Sequence, residues 1–365
     1  MKKPIAIIVT CLLVLMSAAG CKVNNNIKDT ATSAEQQKLT EIKTKLDSLF
    51  TDFYGADKFS GYVHISKKGT VILDKGYGKS DFEKNTENTK QTRFDIASIT
   101  KQITAVAIMQ LEEKKLLTVN DKIDKYFPTF PHGNEITIHQ LLTHTSGLPE
   151  HSTEFDIKKF RPSNKAFGIE GKNENVKLIF SPGASFQYSN PGYILLGYIV
   201  EKLSGKTLDV YFNENIFKPL DMKNTGFRNE TDQLNNLATG YQTEKKDKAE
   251  KSWTLLNIGY VYGSGGLCST VDDLIKWDKA LKEEKLISKE SYNKIYTPNK
   301  SYYGYGWYIT KDSQGKRNYE HYGFASGYRS YILRAVDDDV LVIIESNYQN
   351  TPIEAMTQMV KEYVK

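Results

Sequence analysis

Apolar residues alternate with polar ones near both ends of this 365-residue chain, and the long middle is patterned differently. Phe59 to Gly78 alternates through Tyr62-Val63-His64-Ile65 and Val71-Ile72-Leu73 around Lys67-Lys68-Gly69-Thr70, which predicts a β-hairpin. The C-terminal part predicts strands over Tyr305 to Ile309, Tyr319 to Tyr322, Tyr328 to Ala335 and Val340 to Ser346, with Asp337-Asp338-Asp339 turning the last hairpin. Strands at opposite ends of a chain satisfy their backbones most economically in one antiparallel sheet drawn from both.

Helical spacing accounts for the rest. Leu39, Ile42, Leu46, Leu49 and Phe53 predict a first helix, and Ile353 to Val364 a last one, so terminal helices flank the sheet. Between them lie a helix behind Ser98 (Ile103, Val106, Ala107, Leu111), shorter ones toward Tyr126 and over Ile138 to Leu142, another over Tyr193 to Leu203, and one capped by Ser269 or Thr270. The expected fold class is α+β, with a helical subdomain inserted over about residues 100–262 and a functional groove between the two parts. The polar stretch 150–180 suits a loop on the substrate side of that groove.

Residues 1–20 read as a signal peptide: Lys2 and Lys3, an apolar run from Ile5 to Met16, then small residues. Ala18-Ala19-Gly20-Cys21 resembles a bacterial lipobox, so Cys21 is the expected lipidation site and residues 21–35 a polar tether, with a single domain over 36–365. The expected location is the bacterial cell envelope, membrane-anchored through lipid on Cys21; Lys22 points to the outer membrane, facing the periplasm. Of the three cysteines, Cys11 leaves with the signal and Cys21 carries lipid, which leaves Cys268 without a disulfide partner. The formal charge of +5 includes Lys2 and Lys3, and no basic cluster offers a nucleic-acid footprint.

Three short motifs carry chemistry. Ser98 and Lys101 stand one helical turn apart at the start of an apolar helix, with Ser98 at an N-cap or first-turn position. A serine needs a base to become a nucleophile, and a desolvated lysine is one. Ser291-x-x-Lys294 and Ser313-x-x-Lys316 have the same spacing but lie in polar stretches read as an exposed helix start and a turn. In the loop after Pro182-Gly183, Tyr188 can relay a proton, and Asn190 can hold a lysine and a carbonyl together. Tyr211 and Tyr348 also begin Tyr-x-Asn. His321-Tyr322-Gly323 is the only His-x-Gly in the chain, and a strand edge with a cation and a small residue can pair with an acyl substrate and donate an N–H to an oxyanion. His139, His144 and His151 lack the spacing of a zinc site, and Gly263-x-Gly265-Gly266 lacks a P-loop lysine; neither metal nor cofactor is expected.

In this order the motifs resemble the serine β-lactamase and penicillin-binding protein superfamily, in its class C β-lactamase, D,D-carboxypeptidase and esterase branch. Phe94-Asp95-Ile96-Ala97-Ser98, Leu141 to Leu148, Pro182-Gly183-x3-Tyr188-Ser189-Asn190, Gly265 to Leu274 and His321-Tyr322-Gly323-x3-Gly327-Tyr328 carry the resemblance, which spans roughly residues 45 to 350. It implies an acyl-enzyme on Ser98, with Lys101 as base and Tyr188 sharing proton transfer. It further implies that Asn190 holds Lys101 and the substrate carbonyl, and that the N–H groups of Ser98 and Phe324 form the oxyanion hole. The departure is His321, where β-lactamases and carboxypeptidases mostly have a lysine that recognises a carboxylate. A D-alanyl peptide or small ester is therefore expected as substrate ahead of efficient β-lactam hydrolysis, with peptidoglycan as the wider context. The alternative is a non-catalytic or slowly acylating cell-wall sensor.

Overall fold

The helical spacing after Glu35 becomes α1, Ser33–Gly55, with Leu46 and Phe50 buried against the sheet. Next come β1, Gly61–Lys67, and β2, Thr70–Tyr77, joined through Lys68 and Gly69 with φ of 50° and 76°. Two successive left-handed residues make the turn whose twist matches a hairpin, and glycine takes the second without steric cost. The chain is described by a computed structural model covering residues 33–150, 176–227, 235–242 and 262–364. The expected signal peptide, the lipidated Cys21 and nearly all of the tether therefore lie outside the described residues, as does most of the polar loop 150–180.

Short strands β3, Lys79–Asp81, and β4, Thr86–Glu87, pair with each other. Strand β5, Arg93–Asp95, leads into the Ser98 turn and joins β6, Gly226–Phe227, and β7, Leu267–Thr270, in a small sheet of order β5-β7-β6. The C-terminal strands are β8, Tyr308–Lys311; β9, Arg317–Ala325; β10, Tyr328–Ala335; and β11, Val340–Ser346. The main sheet has the order β2-β1-β11-β10-β9-β8 and is antiparallel throughout. The sheet drawn from both chain ends is thus present. The strand expected from Tyr305 starts only at Tyr308, because the chain still turns at Gly304 and Gly306: a Cβ at 304 would strike the Ile295 carbonyl, and Gly306 has φ of 78°.

One face of this sheet packs on α1 and the last helix, α8, Ile353–Val364, through Val63, Ile65, Val342, Met356 and Val360. The other face, through Tyr62, Ile332, Leu341 and Ile343, shares one core with α2, Thr100–Glu113; α3, Ile138–Leu142; α4, Asn190–Ser204; α5, Leu208–Phe212; α6, Val271–Lys282; and α7, Lys289–Ile295. Helices thus continue past residue 262, and the segment expected to be helical toward Tyr126 is only a 3-10 turn at Ile123–Lys125. Helix α2 is not amphipathic: every residue from Thr100 to Leu111 is buried. A helix enclosed on all sides is the centre of its layer, and polar atoms on it find partners there, as in Trp277 Nε1 to Gln102 Oε1 (2.9 Å) and Thr104 Oγ1 to the Gly263 carbonyl (2.7 Å).

Candidate active site

Ser98 sits between β5 and α2, in a 3-10 turn over Ala97–Ile99, and caps neither helix with its side chain. Of the two expected positions, N-cap or first turn, it takes the turn and stands one residue before Ile99, the N-cap of α2. Ala97 takes a left-handed φ of 46°, a conformation costly for a residue with a Cβ. Asp95 holds it by accepting the Ala97 N–H at 2.8 Å. The turn projects Ser98, partly exposed, into a groove of about 650 Å³.

Lys101, in the first turn of α2, is fully buried. Its Nζ donates to Asn190 Oδ1 at 2.8 Å and to the Ser264 carbonyl at 2.7 Å, and lies 3.1 Å from Ser98 Oγ. Burial drives the pKa well below that of an ordinary lysine, opposed only by the carboxylate of Glu150. A neutral amine has two N–H groups and one lone pair. With the two carbonyl oxygens taking the N–H groups, the lone pair is left for the Ser98 hydroxyl. Desolvation and hydrogen-bond geometry together suit Lys101 to accept a proton from Ser98.

Tyr188 approaches from the opposite wall and is hydrogen-bonded to Ser98; burial, the larger effect, raises its pKa and keeps the phenol protonated. Asn190 is the first residue of α4 rather than part of a loop: Ser189 caps the helix by accepting the Gly192 N–H at 3.3 Å, and Pro191 fits the first turn. His144 pins this junction. Its Nδ1 accepts the Ser189 N–H at 3.0 Å, and its ring lies 4.2 Å from the Tyr188 ring.

Strand β9 forms the far wall. Pairing with β8 ends at Glu320, so among the described residues 321–325 pair only with β10 and leave their other edge toward the groove. Gly323 lets this strand meet the Ser98 turn, because a Cβ there would lie 2.5 Å from the Ile96 carbonyl oxygen and collide with Ser330 Oγ. Phe324 is half exposed and lines the groove. His321 already titrates near neutrality as a free imidazole, and its surroundings push it further toward the neutral form. It is buried, its Nδ1 donates to the Tyr322 carbonyl at 2.7 Å, and its Nε2 accepts the Tyr303 hydroxyl at 3.0 Å. Burial, reinforced by Lys101, lowers its pKa to about 3, so the imidazole is neutral.

Thus Ser98, Lys101, Tyr188, Asn190, His321, Gly323 and Phe324 converge on one groove. The competing motifs do not. Ser291 proves buried, not exposed, and donates to Glu113 at 2.5 Å; Ser313 lines a different cavity; Tyr211 donates to Gln110 at 3.3 Å. His139 is engaged with Tyr305 and Asn299, and His151 lies outside the described residues. Sequence reasoning missed Ser264, whose carbonyl supplies the third contact to Lys101. It also missed Asp95, Tyr303 and Glu150. The glycines around Ser264 were the available signal, since Gly263 leaves no room for a Cβ against the Tyr193 carbonyl.

Comparison with known proteins agrees with this geometry. A family model described as Beta-lactamase matches residues 46–360. Putative penicillin-binding protein PbpX of Bacillus subtilis (strain 168) is 31% identical over 328 residues, covering 88% of this chain and 78% of that one. Penicillin-binding protein 4* of the same organism is 28% identical over 340 residues, covering 87% and 75%. Among solved structures, the octameric penicillin-binding protein homologue from Pyrococcus abyssi superposes with a TM-score of 0.73 at 29% identity, covering 88% of this chain and 77% of that one.

Proposed function

The chain belongs to the Beta-lactamase family and is a serine hydrolase of the penicillin-binding protein type, and from that premise we propose that Ser98 is the acylated nucleophile and Lys101 its base. The observation that carries this is the buried Lys101 amine 3.1 Å from Ser98 Oγ, with both of its N–H groups occupied elsewhere. Ser98 Oγ bonds to the substrate carbonyl carbon while its proton moves to Lys101. The carbonyl electron pair becomes an oxyanion facing the N–H groups of Ser98 and Phe324; losing one such donor typically costs ~10²–10³ in rate. Collapse breaks the bond to the leaving group, which receives the proton through Tyr188. Water then adds to the Ser98 ester, giving its proton back through Tyr188 and Lys101, and the carboxylic acid departs.

The acyl donors are small esters and amides, ahead of β-lactams. Support comes from the neutral, enclosed His321, which supplies no charge for a substrate carboxylate. Peptides ending in D-alanine carry such a carboxylate one residue from the scissile bond and rank between the two. We also propose secretion and anchoring in the bacterial envelope through lipid on Cys21, which rests on the N-terminal sequence alone. No helix among the described residues is long and apolar enough to cross a membrane.

The test is the intact mass of the domain without residues 1–21 after fluorophosphonate treatment. One adduct in the wild type and none in Ser98→Ala is expected. No adduct on folded wild-type protein overturns the assignment and favours a non-catalytic cell-wall sensor.

A further inference from the structure

Helix α4 carries Asn190 in its first turn and Tyr188 just before it, so the seating of its N-terminus sets both side chains. Only half of the cap there is local. Ser189 accepts the Gly192 N–H, and in a full capping box the residue at that third helical position returns a side chain to the N–H of the cap. Gly192 has no side chain to return. His144 takes that part from 45 residues away, accepting the Ser189 N–H on Nδ1 at 3.0 Å. Its backbone carbonyl accepts the Gln187 N–H at 2.9 Å. One residue thus holds the amides on both sides of Tyr188.

Packing alone does not call for an imidazole here. His144 is fully buried among the rings of Phe186, Tyr188, Tyr193 and Tyr303, with centroids 5.9, 4.2, 5.1 and 4.6 Å away. Burial, with Lys101 and His321 nearby, holds its pKa well below 6.5, so the ring is neutral. With Nδ1 accepting, the single ring proton sits on Nε2, which has no hydrogen-bond partner among the described residues. A phenylalanine would fill the same box without an unmet donor. The backbone is also left-handed there, with φ of 57°, which costs a residue with a Cβ. What the histidine supplies in return is the acceptor on Nδ1.

We propose that His144 is a positioning residue for proton transfer by Tyr188: its Nδ1 and carbonyl hold the segment 187–189 so that the phenol stays on Ser98 and reaches the leaving group. This rests on the assignment of Ser98 as nucleophile and Tyr188 as proton relay. His144 makes and breaks no bond; the proton of Ser98 still passes through Lys101 and Tyr188.

The experiment compares kcat/KM for p-nitrophenyl acetate and ethyl acetate, two esters of one acyl group. Nitrophenoxide leaves without a proton and ethoxide does not, so the ratio reads proton delivery apart from attack by Ser98. The proteins are wild type, His144→Asn, His144→Gln and Tyr188→Phe, each labelled with fluorophosphonate in parallel. Asparagine places an amide oxygen where Nδ1 stood, and glutamine places it one bond further out. In His144→Gln the ethyl ester is expected to lose at least about tenfold more than the nitrophenyl ester, part of the ~10²–10⁴ that a positioned proton donor supplies. His144→Asn should keep the ratio near that of wild type. Adding His144→Gln to Tyr188→Phe should change the ratio no further, because the residue acts through the phenol. Equal losses for both esters in His144→Gln overturn the proposal, as does a ratio lost alike in the Asn and Gln variants. Nitrogen NMR of the wild-type imidazole decides the matter should these variants not fold: a proton on Nε2 is expected, and one on Nδ1 overturns the proposal. A wild-type protein that takes no label overturns the assignment of Ser98 and this role of His144 with it.

Discussion

Gly323 and Ile96 touch backbone to backbone: a Cβ on Gly323 would stand 2.5 Å from the Ile96 carbonyl oxygen. That carbonyl also accepts the Ser330 hydroxyl at 3.0 Å, so β9, β10 and the nucleophile turn meet at one point. Gly323→Ala is therefore expected to push the strand away from Ser98. Overpacking of this kind costs ~1–3 kcal/mol, readable as a lower urea midpoint. Loss of acylation should exceed the loss of stability, because the Phe324 N–H moves with the strand. A fully active Gly323→Ala protein would contradict the close approach.

If Lys101 is the base, its depressed pKa sets the acid limb of the reaction. The neutral amine would then be the active form, and its folded pKa lies well below 10.5. The rate of Ser98 labelling should thus rise with pH through a single ionisation far below that of an ordinary lysine. Lys101→Met should lower labelling by about 10²–10⁴, the usual worth of a general base, and remove that ionisation from the profile.

Glu345 on β11 is a second buried ionisable group. It is fully enclosed, neither carboxyl oxygen has a hydrogen-bond partner, and burial together with the charge of Asp95 raises its pKa well above 4.5. The folded state keeps a proton that the unfolded chain has lost. Its contribution to stability is full below pH 4.5 and declines as pH rises toward the raised value, by at most about 1.4 kcal/mol per pH unit. Glu345→Gln should flatten that decline, so that urea midpoints of mutant and wild type diverge in the mutant's favour as pH rises. Parallel curves would show that Glu345 ionises normally.

Nitrocefin carries a carboxylate that His321 cannot meet. Its turnover should fall at least about 10²-fold below that of a simple p-nitrophenyl ester, the scale of an unmatched charge. Hydrolysis comparable to the ester would show that another group binds the carboxylate.

Expressed from its first residue in a bacterial host, the chain should appear in the detergent phase with a diacylglyceryl thioether on Cys21, and Cys21→Ser should abolish both. A mature protein that lacks this mass would leave only a plain signal peptide.

Local signals were the legible ones. Ser98 and Lys101 are three residues apart, so their meeting follows from helix geometry, and the six main strands announced themselves by alternation. Asn190 opens a helix instead of lying in the loop expected after Pro182-Gly183, since Pro191 is well suited to a first helical turn. A mostly neutral His321 follows from the ordinary imidazole range, but its enclosure and its partner Tyr303 are not encoded beside it. The same holds for Ser264, brought to Lys101 across 163 residues of chain. Ser291 looked exposed among polar neighbours because its partner, Glu113, lies on α2.

The sheet joining β1 to β11 has a consequence for how the protein is made. Ser346 donates its hydroxyl to the Ser60 carbonyl across 286 residues, and β11 is the strand through which the hairpin β1–β2 connects to the other three. During synthesis the N-terminal hairpin must wait for almost the whole chain before its neighbour exists. Such distant pairings are slow to close, and until then the edge of β1 is open to wrong partners. Release of a nascent chain shortly before β11 should leave a product that no rearrangement can complete, and aggregation rather than partial activity is its expected fate.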